Sequence, residues 1–208
     1  MDNNSTRLES LANETFFEIF EYLDGQDVYG AFWNLNSRFN ALLRNLKQVS
    51  LTLSSDNDNQ NFDPEIFSFS VYNLIVNENA NVILGHFPNI HRLILHWLPS
   101  NVLDKLGFDI FPNLEYLSID SQISSTTCSI LDIADQIFIN GFPQLKFCSL
   151  PNMSIKPSNI PWTQTASINV LKVGAIDFHV YPIILSCCPN LRVFEFAIFR
   201  LANMYIYG

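Results

Sequence analysis

The chain is short of positive charge. Against 20 Asp and Glu it carries 11 Lys and Arg, a formal net charge of -9 over 208 residues. A nucleic-acid binder needs a basic footprint, and an anionic membrane surface attracts basic segments, so neither partner is expected. Glycine is scarce as well, at seven residues. No phosphate-binding loop, G-x-G-x-x-G or G-x-S-x-G occurs. The four cysteines, Cys128, Cys148, Cys187 and Cys188, fit neither a zinc site nor a secreted disulfide framework. They read as small buried thiols in a reducing compartment, cytoplasmic or nuclear. The opening MDNNSTRLES has no apolar run, so no secretory signal is expected, and no apolar stretch reaches the length of a membrane span. His86, His91 and His96 stand five apart and His179 lies far off. That spacing suits no helical or strand metal pair. No metal, cofactor or catalytic residue is expected, and the chain reads as a non-enzyme.

Apolar residues are plentiful, at 48%, enough for a substantial core. The length allows one large domain, or a small module joined to a larger one. Residues 8 to 46 show helical spacing. Leu11, Phe16, Ile19, Phe20 and Leu23 form a stripe, with Asn13 as its predicted cap and Asp24-Gly25 as its stop. A second helix is predicted over Asp27 to Trp33, with Val28, Ala31 and Phe32 inward. A third is predicted over Leu35 to Leu46, with Leu35, Phe39, Leu42, Leu43 and Leu46 apolar. Val49, Leu51 and Leu53 then alternate with polar residues as a strand does, and 54–64 is a polar, acidic loop.

Beyond the loop the chain repeats itself. FPNIHRLIL (87–95), FPNLEYLSI (111–119), FPQLKFCSL (142–150), TASINVLKV (165–173) and CPNLRVFEF (188–196) align, their starts 24, 31, 23 and 23 residues apart. Each is apolar at its fourth, seventh and ninth places. Leu46, Val49, Leu51 and Val71, Leu74, Val76 are weaker copies, for seven candidate strands. Such a unit cannot bury its apolar side alone, whereas stacked units share a core and a parallel sheet. A helical return is predicted over 124–142, shorter helical or three-ten returns over 101–111 and 180–188, and an irregular one over 151–162, which holds three prolines. Asn79 is the one Asn three places past a motif, so no Asn ladder is expected. Met204 to Gly208 is apolar without a polar cap, and an incomplete last coil or a longer parent protein is the expectation there.

L-x-x-L-x-L at this period is the strand signature of leucine-rich repeats. The preceding stretch, Leu11-Ala12-Asn13-Glu14, Phe16-Phe17, Ile19-Phe20, Tyr22-Leu23, Asp27-Val28 and Leu35-Asn36-Ser37-Arg38-Phe39, resembles the F-box over residues 8–46. The two resemblances imply an α/β fold: a short three-helix F-box (1–46) followed by a leucine-rich-repeat solenoid with a curved parallel sheet (47–208). They imply the substrate-recognition subunit of an SCF-type ubiquitin ligase. The F-box would bind a Skp-type adaptor and, through it, a cullin scaffold. Leu11, Phe16, Phe17, Phe20, Leu23, Val28, Leu35 and Phe39 would carry the adaptor contact.

The residues themselves agree on one point. Helices this rich in Leu and Phe carry more apolar surface than so small a unit can hide, and an unsatisfied apolar face is a partner surface. A cap on the first coil of the repeats is the plainer reading. The matching alternative for the whole chain is a repeat scaffold outside any ubiquitin ligase. A target protein would meet the strand residues that flank the inward ones, with Arg92, His96, Tyr116, Asp120, Phe147, Lys172 and Glu195 as the candidate contacts.

Overall fold

Apolar residues at every second place reach one side of an extended chain, and this alternation builds the sheet. The computed structural model describes residues 8–54, 64–77, 83–96, 111–120, 128–139, 141–155, 161–165 and 167–198. Most of the 54–64 loop, Asn79, nearly all of the 101–111 return, 124–127, 156–160 and the tail from 199 lie outside the described residues. Three short helices lead: α1 (Asn13–Phe20), α2 (Gly25–Phe32) and α3 (Ser37–Arg44). Strands β1 (Val49–Leu53), β2 (Val71–Val76), β3 (Arg92–His96) and β4 (Tyr116–Asp120) follow. Helix α4 (Cys128–Phe138), β5 (Phe147–Ile155), β6 (Val170–Ile176), α5 (Val180–Cys187) and β7 (Val193–Ile198) complete the order. The protein is α/β, and the seven strands among the described residues form one all-parallel sheet in sequence order. Among the described residues no helix is long and apolar enough to cross a membrane.

The register explains the spacing of the repeat. Leu51, Leu74, Leu93, Leu117, Cys148 and Leu171 form one buried row, and Leu53, Val76, Leu95, Ile119, Leu150 and Val173 the next. These are the seventh and ninth places of the motif in β2 to β6. The fourth place is three residues before the seventh, which strict alternation would send to the opposite face. A local irregularity restores it. In β4, the N–H groups of Glu115 and Tyr116 both donate to the His91 carbonyl, at 2.8 and 3.0 Å. Lys146 and Phe147 share the Glu115 carbonyl, Asn169 and Val170 that of Lys146, and Arg192 and Val193 that of Asn169. Two residues thus oppose one, as in a bulge, and Ile90, Leu114, Leu145 and Ile168 come back to the core side, buried.

Strands β4 to β7 are each fed by a turn. The N–H of Leu114 donates to Phe111, of Leu145 to Phe142, of Ile168 to Thr165 and of Leu191 to Cys188, at 3.1–3.3 Å. Proline at the second turn place, as at Pro112, Pro143 and Pro189, presets the backbone angle that this place requires. The first-place residues Phe87, Phe111, Phe142, Thr165 and Cys188 are all buried. Thr165 keeps its hydroxyl satisfied there through the Cys187 carbonyl at 3.3 Å and Cys188 Sγ at 3.1 Å. Phe67 is fully buried in the same role ahead of β2, with its carbonyl accepting from Ser70 at 2.8 Å.

Several local expectations are corrected. The first weak copy is Val49, Leu51 and Leu53 in place of Leu46, Val49 and Leu51, since β1 pairs Val49 with Val71 and Leu51 with Leu74. β1 alternates strictly, so the extra residue falls in β2. The segment expected to be irregular from 151 instead continues β5 to Ile155, with a register shift against β6. Gly174 stands at that shift, and a Cβ there would lie 2.4 Å from the Pro151 carbonyl oxygen. Only a residue without a side chain lets the two strands close.

The helix ends also differ from expectation. Asn13 is the first residue of α1, and its side chain accepts from Arg38 Nε at 2.9 Å instead of capping. Asp24 starts α2 rather than ending α1: its carboxylate accepts from the Gln26 N–H at 2.9 Å. Gly25 fits there because a Cβ would meet Val49 Cγ1 at 2.8 Å, so α2 lies directly on β1. Asn36 caps α3 by accepting from the Phe39 N–H at 3.0 Å. The cap leaves Leu35 outside the helix and 54% exposed.

Burial raises the Asp24 carboxyl above the usual carboxylate range, against the hydrogen bonds from Gln26 and Thr52 that lower it. A carboxyl with a raised folded value stabilises fully below the unfolded value, and the contribution is lost as pH rises through the folded value. Asp24→Asn keeps a capping oxygen and removes the charge. It should therefore melt no lower than the wild type at pH 7 and gain nothing at pH 3. Asp24→Ala should lose about 1 kcal/mol through the lost cap. Melting curves at the two pH values check both.

Candidate functional site

The helical unit is held by an aromatic cluster. Phe16 and Phe39 meet nearly edge to face at 4.9 Å, Phe20 and Phe32 lie 4.9 Å apart, and Phe32 and Phe39 5.1 Å. Arg38 spans the front of the unit. Its guanidinium lies 5.4 Å from the Phe16 ring centre and donates to the Glu9 and Leu11 carbonyls. These contacts tie residues 9–13 to α3. Sequence reasoning had Arg38 as one motif match and missed this role.

Of the residues expected to touch an adaptor, Phe16, Phe20, Val28 and Phe39 are buried in the protein's own core. A helix of eight residues offers one inward face of two turns, and the large rings occupy it. Leu11 and Phe17 are half-buried, while Leu23 is 37% and Leu35 54% exposed. Ile19 and Tyr22 are also at the surface, Tyr22 at 89%. Ala31, expected inward, is exposed. The large apolar side chains of the unit open to a partner are therefore Leu8, Ile19, Tyr22, Leu23 and Leu35.

The second candidate is the sheet face opposite the core. Register places Asn73, Arg92, Tyr116, Phe147, Val170 and Val193 in one row across six strands. Arg92 is stacked over the Tyr116 ring at 4.0 Å from its centre, and Tyr116 is stacked on Phe147 at 4.2 Å and 4°. Guanidinium, phenol and phenyl make one pile at the spacing of the strands. Ile75, Ile94, Ser118, Ser149, Lys172 and Glu195 form the next outward row, ending in a Lys172–Glu195 ion pair of 2.8 Å. His96 and Asp120 follow, 3.9 Å apart, with Asn152 donating to Asp120 at 2.6 Å. The seven candidate contact residues thus lie on one face, in three adjacent rows.

One row was missed. The bulge residues Glu115 and Lys146 bond at 2.8 Å; His91 lies 3.7 Å from Glu115 and stacks on Tyr72 at 4.5 Å. The hydrogen bond from Lys146 holds the Glu115 carboxyl below its usual value, with His91 adding to the effect. The signal was available in the sequence, since the fifth places of successive repeats read His, Glu, Lys, Asn and Arg.

Cys148, Cys187 and Cys188 are buried and free. Burial pushes Cys148 up to about 12 and raises Cys188. A thiol must ionise to react, so both should resist alkylation at pH 8 in the native protein. Both should be modified once urea unfolds it, and mass spectrometry of iodoacetamide-treated samples checks this. Among the described residues no group of three or more His, Cys, Asp or Glu is placed to hold a metal ion. No known family model matches this chain, and no curated protein matches it either.

Proposed function

We propose that the protein is a substrate receptor of an SCF-type ubiquitin ligase, an F-box unit joined to degenerate leucine-rich repeats. The F-box-like unit would dock a Skp-type adaptor, and the sheet face would take a target protein. The observation that carries this reading is the pairing of two apolar surfaces of different origin. Ile19, Tyr22, Leu23 and Leu35 stay exposed on a unit whose Phe16, Phe20, Val28, Phe39, Leu42 and Leu43 are buried. The separate sheet face presents a stacked aromatic row. Exposed apolar residues gathered in one small unit favour a partner, and the motif order over residues 11–39 favours the adaptor as that partner. The α2–β1 packing favours a second reading, in which the helices serve only as the cap of the first coil and the chain is a scaffold.

Binding of a purified Skp-type adaptor separates the two. The wild type should bind, and Tyr22→Asp with Leu35→Asp should lose at least tenfold in affinity at an unchanged melting temperature, because a carboxylate buried unpaired in an apolar interface costs several kcal/mol. Absence of binding by the folded wild-type chain would favour the scaffold.

A further inference from the structure

We infer that the sheet face recognises an extended peptide segment carrying a carboxylate about three residues from an apolar block; this rests on the docking role proposed above for that face. The inference starts from the charges. The chain as a whole is strongly acidic, yet the one charge in the aromatic row, Arg92, is positive. Of the described carboxylates on the face, Glu115 is paired with Lys146 and Glu195 with Lys172, while Asp120, two rows from Arg92, accepts from the neutral Asn152 amide. Arg92 has no carboxylate partner among the described residues. Its guanidinium carbon lies over the Tyr116 ring, 4.0 Å from the centre, on an exposed side chain. A guanidinium placed over an aromatic ring and without a carboxylate of its own can grip a planar carboxylate with two parallel hydrogen bonds.

The occupant's length follows from the row. Beyond Arg92 the same row runs through Tyr116, Phe147, Val170 and Val193 without a charge. At about 4.8 Å per strand, the apolar part is roughly 14 Å long. A small acid would cover Arg92 and one ring and leave the rest bare. A peptide crossing the strands at about 3.3 Å per residue passes from Arg92 to Phe147 in about three residues. Its carboxylate would sit on Arg92 while apolar side chains cover Phe147, Val170 and Val193. The ion pairs on either side, Lys146–Glu115 and Lys172–Glu195, flank the track with mutually satisfied charges and would offer a second anion less.

Fluorescence anisotropy with the full chain tests this. The probes are labelled nine-residue peptides on a Gly/Ser background, with one Asp placed one, three or five residues before a Leu-Phe-Val block. Matched peptides carry Asn or phosphoserine at the Asp position. The three-residue spacing with Asp should bind at least tenfold tighter than its Asn match. Arg92→Gln should erase that preference, and Phe147→Ser should weaken both peptides, with unchanged melting temperatures for both variants. Equal binding of Asp and Asn peptides, a preference that survives Arg92→Gln, or no binding by any peptide overturns the inference. A tenfold preference for phosphoserine over Asp overturns the commitment to a carboxylate. If Phe147→Ser weakens binding while charge and Arg92 do not matter, the face still docks peptides and the proposed function stands without this specificity. If proximity labelling in cells also returns the same partners for wild type, Arg92→Gln and Phe147→Ser, the docking role of the face falls with it.

Discussion

Phe39→Ala is expected to destabilise the protein by about 3–5 kcal/mol. Phe39 is fully buried and touches two other rings, Phe16 edge to face and Phe32 tilted. Truncation removes its transfer free energy, leaves a cavity among stiff rings that cannot close it, and forfeits ring contacts of about 0.5–1.5 kcal/mol each. The buried side chains of the helices and of the sheet form one continuous cluster. Helical and sheet signals should therefore fall in one transition at a lower denaturant midpoint. Leu35→Ala, at an exposed site of the same unit, should change stability by no more than about 0.5 kcal/mol. Equal midpoints for the two variants would mean that the aromatic cluster does not hold the unit together.

Leu117→Ala should cost about 2–5 kcal/mol, while Ser118→Ala next to it stays within about 0.5 kcal/mol. Leu117 is buried between Leu93 and Cys148 of the neighbouring strands. Ser118 is on the opposite face, between Ile94 and Ser149. A shift of one residue in register would exchange the two roles. Urea midpoints that fall equally for both would contradict the register across the centre of the sheet. The loss at Leu117 should also exceed that at a β7 residue such as Phe194, which is half-buried in the last described strand and, among the described residues, has strand neighbours on one side only.

Much of the sheet was legible because the repeat is a local signal. Seven strands, their parallel order and the buried seventh and ninth places follow from spacing alone, since a side chain's face is set by parity along the strand. The alignment also implied that Arg92, Tyr116 and Phe147 occupy equivalent places, and the register agrees. The α4 and α5 returns were visible for the same reason, through apolar residues at helical spacing and, for α4, a glycine at its end. Gly141 donates to the Gln136 carbonyl at 2.8 Å there.

Contacts between distant segments were beyond that reach. Asp24-Gly25 reads as the stop of the first helix, and only the placing of α2 against β1 makes Asp24 the cap of the next. Phe16, Phe20 and Phe39 are expected from the motif in the adaptor contact and are instead core. The choice depended on which rings close on one another once three helices meet, and they close inward, leaving Ile19, Tyr22, Leu23 and Leu35 outside. Likewise Pro151 looked like a break, but the gap left by Gly174 on the next strand lets β5 continue past it. By itself the sequence determined the period, the parity of each strand and the order of the coils, because those depend on residues a few places apart. Tertiary structure alone decided helix ends, the bulge that makes L-x-x-L one-sided, the pairing of charges on the open face and which apolar residues remain exposed, because each depends on segments brought together from far along the chain.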